Sequence, residues 1–357
     1  MSEHGGNVLE MALKIGTDAE NIIDFSANIN PLGMPNSLKT AIVAQLARAE
    51  RYPDVEYRQL HDALARAHHC RPENIMAGNG ATELIYAVVQ YLRPRSALLL
   101  TPGFAEYRRA LQRVGCQIHD YPMSEADGYQ PDERLLERLV QLRPDCLFLA
   151  TPNNPTGLMP DTALLQAIVQ CCHQQQIALI VDEAFIDFLP DAAGLIPQLA
   201  DFSRLYVLRS LTKFFAIPGL RLGYLLSGDQ AAISQMKQQR EPWTINAFAA
   251  LAGEIILDDQ PYIQATHQWL AQQQPWLYQQ LSTLPALQVW QGAANYIFLR
   301  CLKPEIDLQQ ALLQHHILIR HCANYPGLTR DHYRVAIKSA ADNQRLITAL
   351  QQVFGHG

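Results

Sequence analysis

Leu205-Tyr206-Val207-Leu208-Arg209-Ser210-Leu211-Thr212-Lys213, continued by Pro218-Gly219-Leu220-Arg221-Leu222-Gly223-Tyr224, is the stretch that decides the fold. It opens with a short apolar run, Leu205 to Leu208, and passes at once into polar residues. An apolar run without alternation fits a strand buried on both faces. Three similar runs lie upstream: Ala97 to Leu100, Cys146 to Ala150 and Ile177 to Val181. Helical patterns such as Asp161 to Gln175 separate them, and this alternation predicts an α/β fold around a mainly parallel sheet.

Ligands of open α/β sheets bind beyond the carboxyl ends of the strands, so the residues after each run carry the functional signal. Cys146 to Ala150 ends in Thr151-Pro152-Asn153-Asn154-Pro155-Thr156-Gly157, and Ile177 to Val181 ends in Asp182-Glu183-Ala184-Phe185. With Ser210, Lys213 and Arg221 these make three polar clusters on one edge. A lysine at a strand end, flanked by Phe214 and Phe215, is placed to be desolvated and to lose its proton readily. Ser210, three residues before it, and Arg221, eight after it, supply the neutral and charged donors that a phosphate group needs. Gly78-Asn79-Gly80-Ala81-Thr82-Glu83 opens a helical pattern and reads as a second phosphate cradle, built from backbone N–H groups. It is neither Gly-x-Gly-x-x-Gly nor a P-loop, so nucleotide binding gains no support.

At 357 residues the chain exceeds what one hydrophobic core serves, which predicts two lobes. An irregular arm, residues 1–35, is expected to pack against a small lobe and the active site. A large lobe is expected over 36–240 and a smaller α+β lobe over 241–357. The latter takes strands Tyr296 to Arg300, Ile317 to Arg320 and Tyr333 to Ile337, after a helix-rich stretch from Asn246 to Leu284. A final helix is expected from Ala341 to Phe354.

The net charge of −6 offers no basic field for nucleic acid. The seven cysteines show no Cys-x-x-Cys pair and predict reduced thiols in the cytosol. Met1 to Glu10 lacks the apolar core of a signal peptide, and no apolar run is long enough for a membrane span. His68-His69 and His315-His316 are adjacent rather than spaced along one helix face, so no metal site is expected. Ser210-x-x-Lys213 also matches a motif of penicillin-recognising enzymes, but Ser-Asp-Asn and Lys-Thr-Gly are absent.

With Asn153-Asn154-Pro155-Thr156-Gly157, Asp182-Glu183-Ala184-Phe185 and Ser210 to Lys213 followed by Arg221, in that order, the sequence resembles fold-type I enzymes dependent on pyridoxal phosphate (PLP). These have the aspartate-aminotransferase fold. Within them it resembles histidinol-phosphate aminotransferases, and more closely the threonine-phosphate decarboxylase family of cobalamin biosynthesis. That resemblance rests on His4-Gly5-Gly6-Asn7, Phe25-Ser26-Ala27-Asn28-Ile29-Asn30-Pro31-Leu32-Gly33, Thr101-Pro102-Gly103-Phe104-Ala105-Glu106-Tyr107 and Cys322-Ala323-Asn324-Tyr325-Pro326-Gly327-Leu328.

The resemblance implies that Lys213 carries PLP as a Schiff base, that Asp182 pairs with the pyridine nitrogen and that Asn154 donates to the ring oxygen. Phe104 would stack on the ring. Gly80, Ala81, Thr82, Ser210 and Arg221 would hold the cofactor phosphate, with Tyr52 reaching in from the partner subunit of a homodimer. Arg334 would bind the substrate carboxylate, Arg320 and His4 its phosphate, and Asn30 joins the implied substrate residues. Phe185 stands where many aminotransferases place a tyrosine, leaving Asn154 as the main donor to the ring oxygen. The implied reaction is decarboxylation of L-threonine O-3-phosphate to (R)-1-amino-2-propanol O-2-phosphate. A histidinol-phosphate-type aminotransferase using a 2-oxo acid is the alternative. A non-catalytic protein of the same fold would need an added interaction module.

Overall fold

The computed structural model describes residues 5–190, 192 and 194–355. Its strands are β1 (Ile23–Asp24), β2 (Ile75–Gly78), β3 (Ser96–Thr101), β4 (Gln117–Pro122), β5 (Cys146–Ala150), β6 (Ala178–Asp182), β7 (Leu205–Ser210), β8 (Gly223–Ser227), β9 (Leu287–Trp290), β10 (Tyr296–Cys301), β11 (Ile317–Leu318), β12 (Arg320–His321) and β13 (His332–Ala336). Seven of them form the large sheet in the order β2-β8-β7-β6-β5-β3-β4. The run from β7 through β6, β5 and β3 to β4 is parallel, and β8 is antiparallel to both neighbours.

The four apolar runs are the central strands of this sheet. Successive residues point to opposite faces: Leu147 and Leu149 join one hydrophobic cluster, while Cys146 and Phe148 join the other. Both faces are therefore dry, which is why these runs show no polar alternation. The helix Thr162–Gln174 between β5 and β6 begins at Asp161, whose carboxylate accepts the N–H of Leu164 at 2.7 Å.

A four-stranded antiparallel sheet, β12-β13-β10-β9, forms the core of the second lobe. The helix-rich stretch before it divides into Ala247–Ile255 and Gln260–Ser282, where Asp259 caps the second helix through Tyr262 N–H. Although it lies past residue 240, the first of these helices packs on the large lobe. A Cβ on Gly253 would come within 2.2 Å of Leu60.

The strand expected over Ile317 to Arg320 is two strands in two sheets. β11 pairs in parallel with β1 of the arm, and β12 pairs with β13. Phe25, next in the arm, donates its N–H to Leu318 O at 2.8 Å and accepts from Ala336 N–H at 2.8 Å. The arm thus enters between the two strands and takes the backbone bonds that a continuous strand would have made. Among the described residues no helix is long and apolar enough to cross a membrane.

Candidate active site

The carboxyl ends of β5, β6 and β7 open on a cavity of about 80 Å³ lined by Ala81, Thr82, Phe104, Asn154, Asp182 and Lys213 among others. Asp182, the last residue of β6, is buried. Its Oδ1 accepts the Ala184 N–H at 2.9 Å and its Oδ2 the Tyr107 hydroxyl at 2.6 Å. Burial pushes this carboxyl up from its ordinary range, against the bonds from Tyr107 and Ala184 and the charge of Lys213. The Tyr107 phenol is driven well above its usual value by burial and by Asp182 itself, so it remains a donor.

Lys213 lies three residues past β7 and donates from Nζ to Ser210 Oγ at 2.9 Å. Burial lowers its amine to about 8, with Asp182 pulling it back up and Arg221 and Arg334 pressing it further down. A lysine so placed has a substantial neutral fraction near neutral pH and can act as a nucleophile. Phe185 is buried beside it, edge-on to Tyr296 with ring centroids 4.9 Å apart.

The phosphate cradle is built by close backbone approach. Gly80 opens the helix Gly80–Leu92 at φ +78°, and a Cβ there would fall 2.5 Å from Arg221 Nη2. A Cβ on Gly223 would fall 2.5 Å from Ala81 N. Glycine at both positions thus lets the guanidinium of Arg221 and the first N–H groups of the helix converge, as anion binding at a helix start requires. Phe104 caps the next helix, Ala105–Arg113, with Tyr107 edge-on at 5.6 Å.

The small lobe contributes two buried arginines. Arg334 donates from Nη1 to Asn154 Oδ1 at 2.6 Å and from Nη2 to Ser26 O at 2.8 Å, while its buried Nε has no partner among the described residues. Arg320 donates to Asn324 Oδ1 at 2.9 Å and borders a second cavity of about 290 Å³ that also touches Gly5, Asn7 and Ser26 of the arm.

Two expected site residues lie away from the Lys213 cavity. The Asn30 side chain is fully committed to the core: Nδ2 donates to Phe214 O and Thr266 Oγ1, both at 2.8 Å, and Oδ1 accepts Leu32 N–H. No polar atom of it is left for a substrate, which corrects that expectation; its own N–H bonds Lys213 O at 3.1 Å and so braces the lysine's backbone. Tyr52 is 80% exposed and stacked on Trp243, away from the cavity. His4 falls outside the described residues. Sequence reasoning quoted Tyr107 and Tyr325 without giving them roles; the only local signal is their spacing from Phe104 and Arg320.

Comparison with known proteins agrees with this arrangement. Residues 20–350 match the family described as aminotransferase class I and II. The chain belongs to that family. As an aminotransferase class I and II member it has the aspartate-aminotransferase-like, type I fold, and its cofactor is PLP. It is 54% identical to the threonine-phosphate decarboxylase of Salmonella typhimurium over 99% of this chain and 97% of that protein. It is 30% identical to an adenosylcobalamin biosynthesis bifunctional protein of Leptospira interrogans, over 99% of this chain and 41% of that one. The crystal structure of a histidinol-phosphate aminotransferase from Clostridium acetobutylicum superposes with a TM-score of 0.85 at 28% identity, covering 93% of this chain and 99% of that chain.

The class I and II cofactor fits the residues present. The Gly80–Arg221 cradle would hold its phosphate, Asp182 its ring nitrogen and Asn154 its ring oxygen, within reach of Lys213.

Proposed function

We propose that this protein decarboxylates L-threonine O-3-phosphate with PLP, releasing carbon dioxide and (R)-1-amino-2-propanol O-2-phosphate for cobalamin biosynthesis. The observation that carries the reading is 54% identity along the whole chain to a threonine-phosphate decarboxylase. Two buried arginines on the small lobe support it, because the substrate has two anionic ends.

Bound PLP supplies an electron sink for the electron pair of the bond broken at the substrate α-carbon. The protein's residues do the rest. Lys213 would provide the neutral amine that holds the cofactor, and its Nζ would carry a proton near the substrate α-carbon. Asp182, whose bond from Tyr107 works against the rise caused by burial, would face the pyridine nitrogen, where an ionised carboxylate would keep that nitrogen protonated. Gly80, Ala81, Thr82, Ser210 and Arg221 bind the cofactor phosphate, and Phe104 covers one ring face. Arg334 orients the carboxylate to be lost, while Arg320, with His4, grips the substrate phosphate.

The protein acts as a cytoplasmic homodimer in this reading. Val43, Leu46 and Tyr52 are 78%, 63% and 80% exposed, and Tyr52 lines a groove of about 470 Å³ with Arg51, Tyr57 and Arg58. An apolar surface of this kind is suited to a partner subunit, which would receive Tyr52 into its own site. All seven cysteines are unpaired, in keeping with a reducing compartment.

The likeness to histidinol-phosphate aminotransferases keeps transamination as the second reading. One assay separates them: purified protein, PLP and phosphothreonine, with no oxo acid present. Sustained release of carbon dioxide and phosphorylated amine supports decarboxylation. Turnover only after a 2-oxo acid is added would establish the aminotransferase.

A further inference from the structure

Tyr325 stands between the two arginines of the site. Its hydroxyl donates to Asn154 Oδ1 at 3.1 Å, the same atom that accepts Arg334 Nη1. Its ring lies under the other arginine, with the Arg320 guanidinium carbon 5.6 Å from the ring centroid. The residue is buried in a small apolar cluster with Tyr129, Phe298, Cys322 and Leu328. Backbone bonds from Tyr325 N–H to Cys322 O and from Leu328 N–H to Tyr325 O, both 3.0 Å, hold its loop in a tight turn.

These contacts have a chemical consequence for Asn154. A guanidinium only donates, so the amide atom that meets Arg334 is the oxygen. Burial raises the Tyr325 phenol above its ordinary value in spite of the two arginines, so it too donates. With two donors on Oδ1 the amide is held in one orientation, and its NH₂ is the end available to a ligand. The aromatic face under Arg320 does the equivalent for the guanidinium, favouring a position parallel to the ring.

We infer that Tyr325 is a positioning residue that acts on Asn154 through its hydroxyl and on Arg320 chiefly through its ring. The hydroxyl fixes the Asn154 amide for donation to the cofactor ring oxygen, and the ring fixes Arg320 for the anionic end of the substrate. The second part rests on the proposed role of Arg320.

The test uses the full chain loaded with PLP and three variants: Tyr325→Phe, Tyr325→Leu and Arg320→Ala. Tyr325→Phe keeps the ring and loses the hydroxyl. It should raise the PLP dissociation constant about 2- to 12-fold, the range for one neutral hydrogen bond. Because the Arg320 side chain also hydrogen-bonds that hydroxyl, inhibition by inorganic phosphate should weaken too, though less than in Tyr325→Leu. Tyr325→Leu should show the same loss of PLP affinity and also a phosphate inhibition constant raised roughly 2- to 5-fold, as expected for loss of a cation–π contact.

Phosphate inhibition weakened as much in Tyr325→Phe as in Tyr325→Leu, or unchanged inhibition in Tyr325→Leu, would overturn the division of roles. So would a uniform loss of both affinities in proportion to a lowered Tm, which would make Tyr325 a packing residue. Arg320→Ala is the control for the underlying reading. If it leaves phosphate inhibition intact, the role of Arg320 fails and the ring's part fails with it, while the PLP measurements still decide the hydroxyl's part.

Discussion

Arg320 and Arg334 are direct cross-strand partners in the antiparallel pair β12–β13. Opposed residues of such a pair share a face, and like charges there destabilise the sheet. Both side chains are also buried, at 6% and 5% exposure. In the proposed function a substrate with two anionic ends would relieve this arrangement, one arginine taking the carboxylate and the other the phosphate. Loss of a charge-assisted bond from Arg320 should cost roughly 10- to 150-fold in kcat/KM for phosphothreonine in Arg320→Ala. Threonine, lacking the phosphate, should suffer much less. Arg334→Ala should impair both substrates. Steady-state kinetics on both amino acids check this; equal losses in Arg320→Ala refute the phosphate role.

The Lys213 amine sets a pH dependence for loading the cofactor. Only the unprotonated amine attacks the PLP aldehyde, so attachment to apo-protein should accelerate as pH rises, with a midpoint near 8 rather than the ordinary 10.5. Asp182 pulls that value upward, so Asp182→Asn should move the midpoint lower. Stopped-flow absorbance across pH measures it, and a midpoint at the ordinary value would contradict the desolvation argument.

Tyr107→Phe removes the hydroxyl that bonds Asp182 Oδ2. That bond lowers the Asp182 pKa against the rise caused by burial, so without it the carboxyl protonates at higher pH. PLP binding needs the ionised form, and its loss on acidification should therefore begin at higher pH in the variant. At pH values well above both titrations the two proteins should bind PLP alike. PLP dissociation constants measured from acid to neutral pH give the comparison, and superimposable acid limbs would show that Tyr107 only packs.

Glu183 and Arg209 hold the ends of β6 and β7 together beneath the site. Arg209 Nε donates to Glu183 Oε2 and its Nη1 to Asp187 Oδ1, each at 2.8 Å, and both partners of the first pair are buried. Removing Glu183 leaves the guanidinium paired with Asp187 but takes away the acceptor of its buried Nε–H, at a cost of about 1 to 3 kcal/mol. Glu183→Ala should lose that much on denaturant unfolding of the apo-protein. A change below about 1 kcal/mol would mean that water replaces the carboxylate.

Lys213, Asp182 and Ser210 were legible because they sit at or just past the ends of apolar runs, where chain order places them on one edge of a parallel sheet, and Arg221 because it follows Lys213 by eight residues. Tyr107 and Tyr325 were not, since their hydroxyls meet Asp182 and Asn154 across 75 and 171 residues of sequence. Nothing local distinguishes such a tyrosine from a core aromatic. Asn30 failed for the opposite reason. A polar residue in a resembling motif looks available for a ligand until its three hydrogen bonds to the core are seen. The short strands β2, β8 and β9 likewise lack a run long enough to announce themselves, and β4 is a partly exposed edge with no apolar stretch.

Phe25, clasped between Leu318 and Ala336, bears on how enzymes of this design can be recombined. A chimaera that takes its carboxyl-terminal lobe from one parent and its opening segment from another would inherit a mismatched seam one residue from Ile319 and two from Arg320. Exchange of substrate preference between parents therefore calls for a discontinuous graft, in which roughly the first thirty residues travel with the last third of the chain.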